Sequence, residues 1–155
     1  MKTKILTFSQ LQEAARLLYQ GQLVAIPTET VYGLAALISS ESAISSIFAV
    51  KKRPADNPLI VHIANLKQLD QIALPPSKLF FQLTEAFFPG PLTMIIPRHR
   101  DLSPLISAGL DSVAIRMPAH PIAMDLIQML EVPIVAPSAN LSGRPSATDM
   151  QHVLD

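Results

Sequence analysis

The sequence predicts an α/β fold built on a twisted mixed sheet with flanking helices. Short apolar runs of strand length alternate with stretches whose apolar residues recur at helical spacing. Fourteen prolines against five glycines cut the chain into sharply bounded segments. Loops rich in Thr, Ser, Asn, Lys and Arg lie directly against the apolar runs, so polar groups collect at the ends of elements.

Taken in order, Ser9 and Gln12 read as a capping box opening a helix. Leu11, Ala14, Ala15, Leu17 and Leu18 form its stripe, and Gly21 closes it. Leu23 to Ile26 is a strand stopped by Pro27, which puts Thr28-Glu29-Thr30 at a strand's carboxyl end, where open α/β sheets bind ligands. A helix from about Ser42 to Val50 turns Ala43, Ile44, Ile47 and Phe48 inward and delivers Lys51 and Arg53 just past its end. Further strands are expected at 59–63, 92–96, 113–117 and 134–136, and further helices at 66–72, 78–87 and 122–130, with one more opened by Thr148. The connections are too irregular for simple crossovers, hence a mixed sheet.

At 155 residues the chain is read as a single domain, 1–155, able to bury a core. Twelve basic residues cancel twelve acidic ones, so global charge predicts neither a nucleic-acid nor a membrane partner, and any RNA contact needs a local basic face. The absence of cysteine excludes disulfides, thiolate zinc sites and cysteine nucleophiles. The first residues lack the apolar stretch of a leader and no run reaches membrane-spanning length, so the expected location is cytoplasmic.

Three polar segments stand out: Pro27 to Leu34, Lys51 to Pro54, and Ala136 to Asn140. Hydroxyls, amides and fixed positive charge at element ends suit phosphate and carboxylate groups. Each has a plainer reading. Lys51 and Arg53 can offset a helix dipole on a solvated face, and Thr28, Glu29 and Thr30 can be a self-satisfied turn. Glu29 either helps to hold Mg²⁺ or orients a basic residue. His62, alone in an apolar strand, reads as a satisfied core histidine. Arg116, a fixed cation on a strand, needs solvent or an anion, and a structural ion pair would suffice. Ser138 and Asn140 suit a turn. The sequence has no phosphate-binding G-x-x-x-x-G-K-[ST] loop, no G-x-G-x-x-G and no G-x-S-x-G. Four scattered histidines make no metal-ligand pattern, and no protein-bound metal is expected.

Five blocks together resemble the YrdC family: P-T-E-T-V-Y-G-L at 27–34, K-K-R-P-A-D-N-P-L-I-V-H-I at 51–63, F-P-G-P-L-T at 88–93, A-G-L-D-S-V-A-I-R-M-P-A-H-P at 108–121, and A-P-S-A-N-L-S-G-R-P-S at 136–146. The resemblance implies a YrdC-like sheet with an open ligand-binding cleft, lacking the family's usual C-terminal strands. It implies a nucleotidyltransferase making L-threonylcarbamoyl-AMP and pyrophosphate from L-threonine, bicarbonate and ATP, with Mg²⁺, for tRNA t6A modification. Downstream t6A transferase machinery would be a partner, and tRNA or double-stranded RNA contact is implied as well. By the same resemblance Thr30, Tyr32, His62, Arg116 and Ser138 bind threonine. Lys51, Arg53, Asn57, Ser112, Asn140 and Ser146 bind ATP, and Lys51 and Arg53 are catalytic. Two alternatives stay open: carbamoyl transfer through a carbamoyl adenylate, and a catalytically silent RNA- or nucleotide-binding module.

Overall fold

A computed structural model describes residues 3–154; Met1, Lys2 and Asp155, the ends of the expected domain, lie outside the described residues. Six strands, β1 (Val24–Ile26), β2 (Gly33–Leu37), β3 (Ile60–His62), β4 (Thr93–Pro97), β5 (Ser112–Arg116) and β6 (Ile134–Val135), form one open sheet in the order β1-β2-β6-β3-β5-β4. The sheet is mixed as expected, with β3 and β5 as its parallel pair and antiparallel neighbours elsewhere. Among the described residues six α-helices accompany it: α1 (Leu11–Tyr19), α2 (Glu41–Lys51), α3 (Lys78–Phe87), α4 (Pro104–Ser107), α5 (Pro121–Leu130) and α6 (Met150–Leu154).

Several boundaries differ from the sequence reading for local reasons. The capping box is Thr7 with Gln10, not Ser9 with Gln12: the Thr7 N–H donates to Gln10 Oε1 at 3.0 Å, and a 3-10 turn at Phe8–Gln10 leads into α1. The 66–72 segment is 3-10, not α, over Leu66–Gln71. Lys51 is the last helical residue of α2, and Lys52 caps it in the left-handed region at φ 49°, so the helix carries Lys51 within its final turn. Before α6, Asp149 Oδ1, not Thr148, accepts the Gln151 N–H at 2.8 Å. Strand β2 was not expected, because Gly-Leu-Ala-Ala-Leu lacks the β-branched and aromatic residues that mark strands.

The two faces of the sheet are covered unequally, and the register shows how, since paired residues on neighbouring strands share a face. One face carries Ala36, Val135, Val61, Ile115, Val113, Met94 and Ile96, all buried under α2, α4, Phe80 of α3 and the 3-10 segment. On the other face, α1 and α5 pack over β1, β2 and β6, enclosing Ala35, Leu37, Ile134 and Ala136. That cover stops before the remaining three strands. On β3, β5 and β4 this face has Ile60, Ala114 and Thr93 only half-buried, and Ile95 is 72% exposed. The result is a half-open sheet face, bounded on one side by the helices.

Candidate functional site

His62 and Arg116 are cross-strand partners at the carboxyl ends of β3 and β5, on the half-open face. Both are buried, at 3% and 9% exposure, so the pairing places an imidazole and a guanidinium side by side with little water. His62 Nδ1 lies 3.2 Å from the Ile60 carbonyl, a contact that suits an Nδ1–H donor and leaves Nε2 as an acceptor. Burial, opposed by that carbonyl and reinforced by the Arg116 charge, pushes the His62 pKa down to about 4. At neutral pH the imidazole is therefore uncharged.

The loop between β1 and β2 reaches over to this pair. Its base is fixed by backbone bonds to the segment after β6: Tyr32 N–H to Ala147 O, Leu34 N–H to Pro137 O and Ala139 N–H to Tyr32 O, each 2.7 Å. Gly33 permits the close approach, since a Cβ there would lie 3.1 Å from the Ala136 Cβ. Within the loop, Thr28 Oγ1 accepts the Thr30 and Val31 N–H groups at 3.2 Å and donates to the Val31 carbonyl at 2.6 Å, pinning a tight turn. The turn presents Glu29 and Thr30 to Arg116, whose Nη2 donates to Glu29 Oε1 at 2.6 Å and to Thr30 Oγ1 at 3.1 Å. Arg116 Nε is enclosed and has no partner. Burial works to raise the Glu29 pKa, but the Arg116 hydrogen bond and charge, with backbone N–H groups of Glu29 and Ala119, hold it below the usual carboxylate range. Of the two roles weighed for Glu29, orienting a basic residue is the one its contacts match.

A second cation lies at the opposite end of the same strands. Lys51 is 2% exposed, and its Nζ donates short hydrogen bonds to the carbonyls of Ser138 and Asn140. Its own carbonyl accepts the Ser142 N–H at 2.9 Å, so α2 and the 138–142 loop are tied together in both directions. Burial, and then the charge of Arg53, lower the Lys51 pKa from its ordinary value. Arg53, half-buried, donates from Nε to Asn57 O at 3.3 Å and from Nη2 to Pro58 O at 3.0 Å, bracing the loop that leads into β3. Lys52 between them is exposed. The strand rise of about 3.3 Å per residue puts this end of β3 on the order of 10 Å from the His62 and Arg116 end.

The comparisons with known proteins fit this arrangement. The family described as Telomere recombination (Sua5_yciO_yrdC) matches residues 16–155. The chain belongs to the Sua5/YciO/YrdC family. A threonylcarbamoyl-AMP synthase of Pyrococcus abyssi is 51% identical over 142 residues, covering 92% of this chain and 42% of that relative. A synthase of the same name from Psychromonas ingrahamii is 38% identical over 151 residues, covering 96% of this chain and 79% of the relative. The crystal structure of P. abyssi Sua5 complexed with L-threonine superposes with a TM-score of 0.91 at 48% identity, covering 97% of this chain and 44% of that one. The chain thus spans less than half the length of its Pyrococcus relatives.

On this Sua5/YciO/YrdC domain the other expected site residues are more dispersed. Asn57 and Ser146 are exposed on their loops, and Ser112 is half-buried at the start of β5, four residues from Arg116. Asn140 spends its Nδ2 donors on the carbonyls of Leu141 and Arg144 at 2.9 and 2.8 Å, leaving Oδ1 buried and unpartnered. Tyr32 lines a separate apolar hollow of about 410 Å³ between β1, α1 and α6. His120 is a helix cap, its Nδ1 accepting the Ile122 N–H at 3.2 Å. Among the described residues no three His, Cys, Asp or Glu side chains cluster to hold a metal, and Glu29 is committed to Arg116. These residues do not fit a protein-built Mg²⁺ cage. No described helix is long and apolar enough to cross a membrane. Sequence reasoning offered a basic partner for Glu29 and an anionic one for Arg116 without pairing the two, and it missed the carbonyl partners of Lys51, at which only the polar loops hinted.

Proposed function

We propose that this chain carries the threonine- and ATP-binding core of a cytoplasmic threonylcarbamoyl-AMP synthase. The observation that carries the reading is a pair of unlike cation sites on one sheet: Arg116 beside a neutral His62 at the carboxyl ends of β3 and β5, and Lys51 with Arg53 near the start of β3. The 48% identity to a Sua5 complexed with L-threonine supports assigning the first to the amino acid. In this reading Arg116 takes the threonine carboxylate, with Thr30 and His62 beside it; the threonine roles of Ser138 and Tyr32 rest on the family resemblance alone. Lys51, Arg53, Asn57, Ser112, Asn140 and Ser146 serve ATP.

The threonine amine captures carbon dioxide, formed from bicarbonate, and loses a proton to give an N-carboxylate. A carboxylate oxygen attacks the α-phosphorus of ATP, the bond to the β-phosphate oxygen breaks, and pyrophosphate leaves. The step joins two anions, so its main demands are alignment and fixed positive charge. Lys51 is held rigidly by two carbonyls and has no carboxylate among its described partners, so its charge remains to act on phosphate. Any Mg²⁺ would arrive on the nucleotide phosphates. The product, a mixed anhydride, calls for a downstream transferase that moves the threonylcarbamoyl group to tRNA.

Pyrophosphate release should require ATP, bicarbonate and threonine together, with carbamoyl phosphate inert. Release that ignores the amino acid, or that depends on carbamoyl phosphate, would overturn the reading.

A further inference from the structure

The contact between Arg116 and Glu29 has a geometry that bears on how a substrate enters. A guanidinium offers a carboxylate two bidentate edges, Nε with Nη2 and Nη1 with Nη2. Both use Nη2, and here Nη2 is taken by Glu29 and Thr30 while Nε is enclosed without a partner. A carboxylate can reach a full fork on Arg116 only by displacing Glu29 or Thr30. Displacing Glu29 alone would cost its carboxylate a charged partner, and on this exposed turn, with the Glu29 side chain 22% exposed, water replaces only part of what is lost. A ligand that brings both signs of charge avoids that cost.

We propose that the Arg116–Glu29 ion pair is the closed form of a zwitterion site, opened by an α-amino acid whose carboxylate takes Arg116 and whose ammonium takes Glu29. The inference rests on the amino-acid reading above and adds to it a binding role for Glu29. One internal ion pair is exchanged for two with the ligand, so neither Arg116 nor Glu29 loses a charged partner. The neighbouring His62, uncharged and with Nε2 free to accept, does not repel an ammonium beside it. Thr30, on the same turn as Glu29, keeps a hydroxyl on Nη2 while the pair opens.

The test compares two ligands differing only at the α-position: L-threonine and 2,3-dihydroxybutyrate, which carries a hydroxyl in place of the amine. Isothermal titration of the wild-type chain should show threonine binding roughly tenfold to a hundredfold more tightly, the usual range for a charged hydrogen-bonded contact. In Glu29→Gln this preference should collapse to near unity, and Glu29→Asp, which keeps the charge, should retain part of it. Thermal melts of both variants check that the fold is kept. Equal weakening of both ligands in Glu29→Gln would make Glu29 a positioning residue for Arg116 only and overturn the proposal. Tighter threonine binding by that variant would show Glu29 to be a competitor of the ligand and overturn it too. Failure of the wild type to bind threonine at all would instead remove the amino-acid reading on which it stands.

Discussion

Two cations are buried near opposite ends of β3, and they are satisfied in opposite ways. Lys51 is held by neutral carbonyls, which fix its position without cancelling its charge. Arg116 is held by a carboxylate, which cancels its charge until something displaces it. A cation solvated by carbonyls is a standing field, suited to a polyanion that must be bound and turned over. A cation in an ion pair is a selective gate, because only a ligand that can replace the carboxylate gains access. The difference predicts that Lys51 matters for stability and anion binding together, whereas Arg116 matters for which carboxylate binds.

The largest effect should come from Lys51→Met. It leaves two half-buried carbonyls without their donor and removes the side-chain half of the tie between α2 and the 138–142 loop. We expect a loss of about 3 kcal/mol, a melting temperature lower by roughly 10 °C, and ATP affinity too weak to titrate. Calorimetric melting checks the first part, and a wild-type melting curve for this variant would mean that the carbonyl anchors are idle.

Arg116→Lys probes the other end. It keeps the charge and loses the planar fork, so threonine affinity should fall at least about tenfold, and threonine amide should bind the wild type poorly. Equal affinity of the wild type for threonine and its amide would refute the carboxylate gate.

The His62 contribution appears in pH. Between its unfolded value of 6.5 and its folded value of about 4, the unfolded chain binds a proton that the folded chain refuses, so stability falls as pH falls through this window. The full loss below pH 4 is on the order of 3 kcal/mol. Urea midpoints at pH 7 and 4.5 should converge in His62→Gln relative to the wild type. The lowered Glu29 carboxyl also loses stability with acid, but only below the usual carboxylate value, which separates the two.

The smallest structural effect is expected at the solvent side of the Lys51 cluster. Arg53→Ala should weaken ATP binding about tenfold with a stability change under about 1 kcal/mol, because its carbonyl partners lie on an exposed loop where water replaces the donor. Lys52→Gly is the control: exposed and left-handed at φ 49°, it should gain roughly 0.5–1 kcal/mol with ATP affinity unchanged. A matching ATP loss in both variants would erase the distinction between inward and outward cations.

Much of the scaffold was legible in the sequence because it is written in local periodicity. The stripe of α1, the Ser77-capped α3 and the apolar runs of β3 to β6 all show in windows shorter than a dozen residues. Strand β2 hid because its residues are alanine-rich and it depends on Gly33 closing against Ala136, a contact with no local trace. The site was legible as residue types but not as partnerships. Lys51 meets carbonyls 87 and 89 positions away, and Arg116 meets groups 87 and 86 positions away. Nothing in either neighbourhood indicates which cation is free and which is neutralised. The half-open sheet face is equally invisible until the register is known, since Ile95 and Met94 look alike in sequence and differ only in which side they face.

The parallel pairing of β3 with β5 also bears on how the protein reaches its working state. Forty-nine residues separate His62 from Ser112, and β6 enters between β2 and β3 later still. Such pairings form only after long loops close, so the central strands are expected to form and open together with the fold as a whole. Both cations depend on them, and a partly folded chain would present neither. Ligand binding therefore draws on global unfolding, and saturating ligand should slow hydrogen exchange at the β3 and β5 amides by the full RT ln(1 + [L]/Kd) rather than by some local fraction of it.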